Sequence, residues 1–157
     1  MALKVKKILK KEIVTVAEGR ALGKMTDLRI DPETHRITVL ILAAGSVHDS
    51  SILIHASAVR SFEADKIAID DLDALKIAAR DESALEILNR GIHFRGREVM
   101  TKTGQKLGKV KEVMVDAQGV VTEYRLRKGL RGILLPAAKV SPADLGTAGG
   151  EVAVADE

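Results

Sequence analysis

One pattern occurs twice in this chain, and this duplication limits the possible folds more than any other feature. Residues 19–31 read GRALGKMTDLRID and residues 104–116 read GQKLGKVKEVMVD, an offset of 85 positions (104 minus 19). The two segments share a glycine, the tripeptide Leu-Gly-Lys and a final aspartate, and their apolar residues coincide. Self-similarity at a fixed spacing indicates a duplicated structural unit. The fold must therefore accommodate one small unit twice.

The duplication extends beyond these two segments. The offset between matching residues changes along the chain, as expected for a duplicated unit whose loops vary in length. The additional matches are Val14 with Val99, residues 37–38 with 121–122, residues 52–59 with 133–140, and residues 67–69 with 152–154. Together these matches span most of the chain.

Each copy is predicted to contain a hairpin of two short strands. In the second copy, residues 109–115 partly alternate polar and apolar side chains and contain several valines, which favours a strand. Residues 116–119 have turn composition, and residues 120–126 form the returning strand. The corresponding parts of the first copy are residues 24–30, 31–36 and 37–42. Gly23 and Gly108 precede the hairpins, where we expect a tight bend or the close approach of another backbone.

The hairpins and the density of turns predict an all-β fold of two small β-barrels in tandem, joined by a short helical linker. We expect the first barrel at residues 12–70, the linker at residues 71–94 and the second barrel at residues 95–156. A unit of about 60 residues is marginal as an independent core. Two such units packed side by side would cover each other's apolar surface and sheet edges.

The linker is predicted to contain one short helix, with a further helical turn around residues 72–79. Asp81 or Ser83 can cap the N-terminus of the helix, and Gly91 is a C-terminal stop signal. The apolar side of the helix is expected to consist of Leu85, Ile87 and Leu88.

Composition narrows the functional classes. Aromatic residues make up 2% of the chain, so the core must be aliphatic and the stacking platforms of single-strand nucleic-acid binders are hard to build. The absence of cysteine excludes disulfides, thiolate metal sites and cysteine nucleophiles, and it suits a reducing compartment. The basic start lacks the apolar stretch of a signal peptide, and no apolar run is long enough to span a bilayer. We expect a cytoplasmic protein that is not integral to a membrane.

Catalytic and metal-binding patterns are not found in the sequence. The four histidines do not have the spacing of a metal site, and the serines lack a G-x-S-x-G frame. Asp31 and Asp116 occupy equivalent turns, where an aspartate is expected to hold the turn rather than to act in an acid–base pair. We therefore expect no catalytic residue, no metal and no cofactor.

The most distinctive charged feature is a basic cluster in the second copy. Residues 91–140 carry eleven basic and four acidic residues, whereas the tail at residues 141–157 carries four acids and no base. The cluster consists of Arg125, Arg127, Lys128 and Arg131, with Lys102, Lys106, Lys109 and Lys111 on the same unit. It is compatible with RNA phosphates, anionic lipid headgroups or an acidic protein surface, and equally with a solvated loop or contact with the chain's own acidic segments. The basic start at residues 4–11 is compatible with a mobile tether or a membrane-surface contact.

The order of these motifs resembles the PRC-barrel, the small β-barrel in the cytoplasmic part of the photosynthetic reaction-centre H subunit. A similar barrel forms the C-terminal domain of a bacterial ribosome-maturation factor. The first copy departs from the pattern at Ile54-His55, where proline is expected. The motif residues are Gly19, Leu22, Gly23 and Asp31 in the first copy and Gly104, Leu107, Gly108, Asp116 and Pro136 in the second.

The resemblance implies a docking and assembly module rather than an enzyme. We expect a non-enzymatic tandem PRC-barrel protein that binds or scaffolds a protein or membrane-complex partner. The alternative is an RNA- or ribosome-associated assembly protein that uses the basic surface of the second copy. An edge strand left open by either barrel could pair with another chain, so a homodimer is a further expectation.

Overall fold

The computed structural model describes most of the chain, and short strands dominate the described part. The described ranges are 2–43, 52–77, 80–92, 95–101, 106–127, 129–130, 133–134, 138–142, 145–146 and 153–155. Helices are few and short. The prediction of an all-β fold is therefore confirmed.

The first copy follows a short leading segment. The elements in this part of the chain are β1 (Leu3–Lys4), α1 (Val5–Ile8), β2 (Glu12–Thr15), β3 (Ala21–Lys24), β4 (Asp27–Asp31), β5 (Arg36–Ala43), β6 (Ile52–His55) and β7 (Ile67–Ile69). One sheet has the order β3-β2-β7, with β7 parallel to β2, and a second sheet contains β4, β5 and β6. Among the described residues the strands of this copy thus form two sheets rather than one closed ring.

The segment between the copies is not purely helical. A 3₁₀ turn at Leu72–Ala74 leads into β8 (Leu75–Ile77), which pairs with β6 as the edge strand of the order β4-β5-β6-β8. The predicted helix then follows as α2 (Glu82–Arg90). Residues 75–77 therefore extend the sheet of the first copy, where the sequence suggested a further helical turn.

Helix α2 begins at the predicted residue, but the side that packs against the protein differs slightly from the predicted apolar side. The Asp81 carboxylate accepts a hydrogen bond from the Ala84 N–H at 3.1 Å, as an N-cap should. Ala84 is the buried residue of the helix, and Ile87 and Leu88 are half-buried. Leu85 is 38% exposed, so its assignment to the apolar side was wrong.

The second copy contains the remaining strands. They are β9 (Glu98–Thr101), β10 (Lys106–Val115), β11 (Val121–Arg127), β12 (Gly129–Leu130), β13 (Ile133–Leu134), β14 (Ala138–Val140), β15 (Leu145–Gly146) and β16 (Ala153–Ala155). The main sheet has the order β14-β11-β10-β9-β16-β15, and β12 pairs with β13 separately. Strand β16 runs parallel to β9, just as β7 runs parallel to β2.

The central hairpins of the two copies have the same register. The equivalent pairs are Leu28–Leu40 with Val113–Tyr124, and Ile30–Ile37 with Val115–Val121. A bulge lies between these pairs in both copies. Equivalent residues are 85 positions apart on the first strand (113 minus 28) and 84 on the second (124 minus 40). The duplication read from these segments is therefore confirmed.

The register of the outer strands corrects three of the predicted matches. Gly23 pairs with Ile13 and Gly108 pairs with Val99, so the equivalent of Val99 is Ile13 rather than Val14. The match between the parallel strands changes as well. Ile13 pairs with Ile67 and Val99 pairs with Ala153, so Ile67 and Ala153 are equivalent, one residue away from the predicted match. The chain between the paired positions is one residue longer in the first copy.

The third correction concerns residues 52–59 and 133–140. Strand β6 flanks β5 as β14 flanks β11, and the register makes Ile54 the equivalent of Val140. Residues 133–134 pair instead with 129–130. His55 is therefore not the counterpart of Pro136, which lies outside the described residues. Short aliphatic strands resemble one another in sequence, and only the hydrogen-bond ladder distinguishes them.

The two copies are joined by a reciprocal pair of backbone hydrogen bonds. The Ile37 N–H donates to the Gly119 carbonyl and the Val121 N–H donates to the His35 carbonyl, both at 2.9 Å. Ile37 is the equivalent of Val121, and His35 is the equivalent of Gly119, so each bond is the image of the other. A pseudo-two-fold axis therefore passes between the copies at this antiparallel bridge.

The segments that precede the two copies cross to the opposite copy. Leu3 pairs with Val115 of the second copy, and Ile92 exchanges two backbone hydrogen bonds, of 2.7 and 2.9 Å, with Ile30 of the first. Ile30 and Val115 are equivalent positions, so the exchange is reciprocal. Ile8 is fully buried. The basic start is thus docked onto the body, and the suggestion that it is a mobile tether was wrong.

One hydrophobic core draws on both copies. Its members include Leu28, Leu40 and Ile54 from the first copy, Val113, Tyr124 and Leu126 from the second, and Ile8 from the leading segment. Fully burying an aliphatic side chain of this size contributes roughly 1.5–3 kcal/mol. The prediction that the copies cover each other's apolar surface is confirmed.

Candidate interaction surface

The outer face of the first copy is apolar and is covered by the chain's own helix. Val39, Ile41 and Leu53 lie on the face of β5 and β6 that points away from the shared core. Ala84 of α2 packs against them, and all four residues are buried. The outer face of the first copy is therefore covered by a helix of the same chain.

The equivalent face of the second copy is charged. The hairpin register places Glu123 where the first copy has Val39 and Arg125 where it has Ile41. Arg127 follows on the same face at the end of β11 and is exposed. No α-helix follows α2 in the ranges that the structure describes. Here we define the outer face of the second copy as Glu98, Lys109, Glu123, Arg125 and Arg127.

Arg125 is engaged by a neighbouring acid. Its Nε donates to Glu123 Oε2 at 2.7 Å, and the two side chains are 33% and 27% exposed. A hydrogen bond between two charged groups at this distance is among the stronger polar contacts in proteins. The positive charge of Arg125 is therefore partly compensated within the face.

Acidic and basic residues also alternate across the strands. Lys109 lies between Glu98 of β9 and Arg127 of β11 in the register of the sheet. Lys109 and Arg127 are exposed, as is Lys111 at the neighbouring bulge. Like charges directly opposite each other repel across a ladder, and Glu98 on the other side of Lys109 offsets the repulsion between Lys109 and Arg127. The face is a mixed surface with a small positive excess, not a continuous cationic strip.

The remaining predicted residues of the basic cluster cannot be placed on this face. Lys102, Lys128 and Arg131 lie outside the described residues, and so does Gly104 of the structural motif. The backbones of Lys106 and Leu107 belong to β10. Leu22 lies at the equivalent place on β3 of the first copy.

The motif glycines take the conformations that their residue type allows. Gly23 has φ +97° and Gly108 has φ +147°, values that side-chain-bearing residues rarely adopt. A Cβ at Gly108 would lie 2.8 Å from the Arg127 carbonyl oxygen. The predicted close backbone approach is confirmed at Gly108, whereas a Cβ at Gly23 would meet nothing within 4 Å. Gly19, at φ +63°, lies in the turn before Leu22.

Asp31 and Asp116 hold their turns. Asp31 Oδ1 accepts from the Glu33 N–H at 2.8 Å, and Asp116 Oδ1 accepts from the N–H groups of Gln118 and Val120 at 2.9 and 3.0 Å. These bonds are those of Asx turns. The structural role that the sequence indicated for both aspartates is confirmed.

A contact between His35 and Tyr124 was missed at the sequence level. His35 Nδ1 lies 2.6 Å from the Tyr124 hydroxyl, and the two rings meet edge-on with centroids 5.7 Å apart. Burial lowers the pKa of His35, although the charge of Asp31 acts in the opposite direction, and burial raises the pKa of Tyr124. His35 has φ +54° and stands where the second copy has Gly119, so comparing the two turns could have singled it out.

Two cavities were also not foreseen. One, of about 400 Å³, lies beside the first-copy turn and α2, with Arg36, His55 and Arg90 among its lining residues. The other, of about 350 Å³, is mostly apolar and is bounded by α1 and by residues of both copies. In the described part of the chain, His, Asp and Glu side chains nowhere form a group of three that could hold a metal ion. No described helix has the length and apolar content of a membrane span.

The PRC-barrel domain family matches residues 2–76 and 92–153 of this chain. The two matched ranges contain the two copies and their leading segments, whereas α2 falls between them. No curated protein matches the chain. The match indicates a small binding or scaffold module, of a kind that is generally not catalytic.

Proposed function

Since this chain belongs to the PRC-barrel family, we propose that it is a non-enzymatic tandem module that holds a protein or membrane-complex partner. In this proposal residues 12–70 and 95–156 are the two barrels, and residues 71–94 link them. The outer face of the second copy is the surface that meets the partner.

The difference between the two outer faces carries the proposal. The first copy buries its face under α2, and the positions of Val39 and Ile41 are taken in the second copy by Glu123 and Arg125. The first copy binds a helix at this face. The equivalent face of the second copy is charged, so it is suited to bind a polar segment of another molecule. Charged groups on such faces contribute mainly to partner selection and association rate.

The alternation of acids and bases favours a protein surface over RNA. A protein partner can present carboxylates to Arg127 and cations to Glu123 at the same time. A phosphate backbone offers only negative charge, so Glu98 and Glu123 would repel it. The exposed side chains of Lys109, Lys111 and Arg127 are the observation that keeps RNA or ribosome association as the second candidate.

Crosslinking from within the proposed face tests the first candidate. A photoreactive residue at Arg127 should capture a partner that the charge-reversed variant R125E/R127E no longer binds. Lys24 provides the matched control because it is exposed and is the first-copy equivalent of Lys109. K24E should retain the partner. Equal capture by K24E and R125E/R127E would show that the proposed face is not the binding surface.

The salt dependence of RNA binding distinguishes the second candidate function from the first. Fluorescence polarisation with a single-stranded RNA should give weak affinity that is unchanged in R125E/R127E. If these two arginines contact phosphates, their loss should instead reduce the slope of log affinity against log salt by about 1.4. Such a reduction would replace the first candidate with the second.

A further inference from the structure

The smaller of the two cavities has the composition of a ligand site. It encloses about 350 Å³, within the usual range for small-molecule pockets. Its apolar lining comes from Val5, Leu9, Leu28, Ile30 and Val113. A few polar groups converge on an otherwise aliphatic wall, which is the usual arrangement for a site that both holds and orients a small molecule.

The cavity lies at the junction of the two copies. Leu28 and Val113 are equivalent residues of the two central hairpins, and so are their neighbours Asp27 and Glu112. All four residues line the cavity. The duplication thus places one carboxylate from each copy at the same cavity.

The two carboxylates have different surroundings. The Asp27 side chain is 35% exposed and has the Arg29 guanidinium at 3.9 Å. Glu112 is only 8% exposed. Its Oε1 accepts from the backbone N–H groups of Val113 at 3.2 Å and Lys6 at 3.4 Å. Glu112 forms no ion pair with any residue in the described ranges.

A buried carboxylate without a cation is energetically costly. Removing a charged group from water carries a penalty of several kcal/mol that a well-placed opposite charge can offset. The side chains of Lys6 and Arg95 are exposed, and within the described part neither pairs with Glu112. Arg125, which lies opposite Glu112 in the sheet register, bonds Glu123 instead. Among the described residues the cavity therefore combines an apolar wall with one carboxylate that forms no ion pair.

We propose that this cavity binds a small alkylammonium compound. The alkyl chain packs against Val5 and Leu9, the apolar lining residues that remain partly exposed, and the ammonium group donates to the Glu112 carboxylate. Charge-assisted hydrogen bonds of this kind are about twice as strong as neutral ones. Glu112 lies opposite Arg125 of the outer face in the register of β10 and β11. The two proposals concern different ligands and use different assays, so either can fail without the other.

Three compounds of equal chain length test the site in the intact protein. Hexylammonium, hexanol and hexanoate are titrated by calorimetry, and methyl resonances of Val5 and Leu9 report where they bind. Hexylammonium should bind at least about tenfold more tightly than hexanol, and hexanoate should bind most weakly. Equal affinity for hexylammonium and hexanol, or shifts only at distant methyl groups, would overturn the proposal.

Two substitutions of a carboxylate by an amide test which side chain binds the ammonium group. E112Q keeps the size of the side chain and an oxygen acceptor for the two N–H groups but removes the charge, so it should lose the preference for hexylammonium and retain hexanol. D27N removes the equivalent, more exposed carboxylate and should change the preference by less than about twofold. Unchanged discrimination in E112Q would refute the role of Glu112. The comparison of the three compounds in the unmodified protein holds even if E112Q folds poorly.

Discussion

Substituting Gly119 by alanine should destabilise the protein through two separable effects. Gly119 has φ +83°, and an alanine held in this left-handed region costs about 1–2 kcal/mol. An added Cβ would also lie 2.8 Å from Cε2 and 3.2 Å from Cδ2 of Phe62, which is buried. Overpacking of a closed site typically costs about 1–3 kcal/mol. Together the two effects predict a loss of about 2–5 kcal/mol.

Gly23 separates the backbone effect from the packing effect. Gly23 also has a positive φ, of +97°, but a Cβ there would meet nothing within 4 Å. G23A should therefore show only the backbone cost, about 1–2 kcal/mol. The excess cost of G119A over G23A measures the contact with Phe62 at the junction of the copies.

Equilibrium urea denaturation of G119A, G23A, F62L and the double variant F62L/G119A gives the free energies of unfolding. F62L shortens the side chain that the new Cβ would meet, so the double variant should lose less stability than the sum of the single variants. We expect a coupling of about 1 kcal/mol or more. A contact between the added Cβ and Phe62 would be refuted if G119A costs no more than G23A, or if the costs of F62L and G119A simply add.

Two further predictions concern the junction and the leading segment. Burial lowers the pKa of His35 below its usual 6.5, with Asp31 opposing, so the folded state favours the neutral imidazole. The resulting stability should be complete above pH 6.5 and decline as the pH falls. Urea midpoints measured between pH 7.5 and 5 should show this decline, and H35N, whose asparagine tolerates φ +54°, should reduce it. Ile8 is fully buried in the core to which both copies contribute, so I8A should lower the free energy of unfolding by about 2–5 kcal/mol. A loss below about 0.5 kcal/mol in urea denaturation would contradict the docking of this segment.

The central hairpins were predictable because several local signals agree. A Leu-Gly-Lys segment, a run of β-branched residues and an Asp-led turn each favour the same structure, and the second copy repeats them. The cap of α2 at Asp81 was predictable for the same reason, since the residue type and the apolar pattern coincide. Where one copy was ambiguous, the other supplied the missing signal.

The pairing of the outer strands was not predictable from residue patterns. Residues 52–54 and 133–135 are both short aliphatic runs, and their similarity gave a match that the ladder contradicts. Strand β8 has three residues, too few for a periodic signal, and it forms because β6 offers an open edge. These outcomes depend on distant partners, which a local pattern does not contain.

The sequence predicted where the candidate surface lies but not that its acidic and basic residues alternate. Arg125 lies on the strand that the sequence assigned to it, and Arg127 is the last residue of β11, one residue beyond the predicted strand. The bond from Arg125 to Glu123 depends on both side chains sharing one face of β11. The alignment of Glu98, Lys109 and Arg127 could not be predicted from the sequence either, because it depends on the order in which three strands pair. The alternating character of the face follows from these pairings.

Native-state hydrogen exchange at two amides tests whether the copies form one cooperative body. The amides of Ile37 and Val121 make reciprocal bonds across the pseudo-two-fold junction. Both amides should exchange with one common free energy, equal to that of global unfolding. Exchange of Val121 at a clearly lower free energy than Ile37, with the first copy still protected, would show that the copies unfold independently and would contradict the claim.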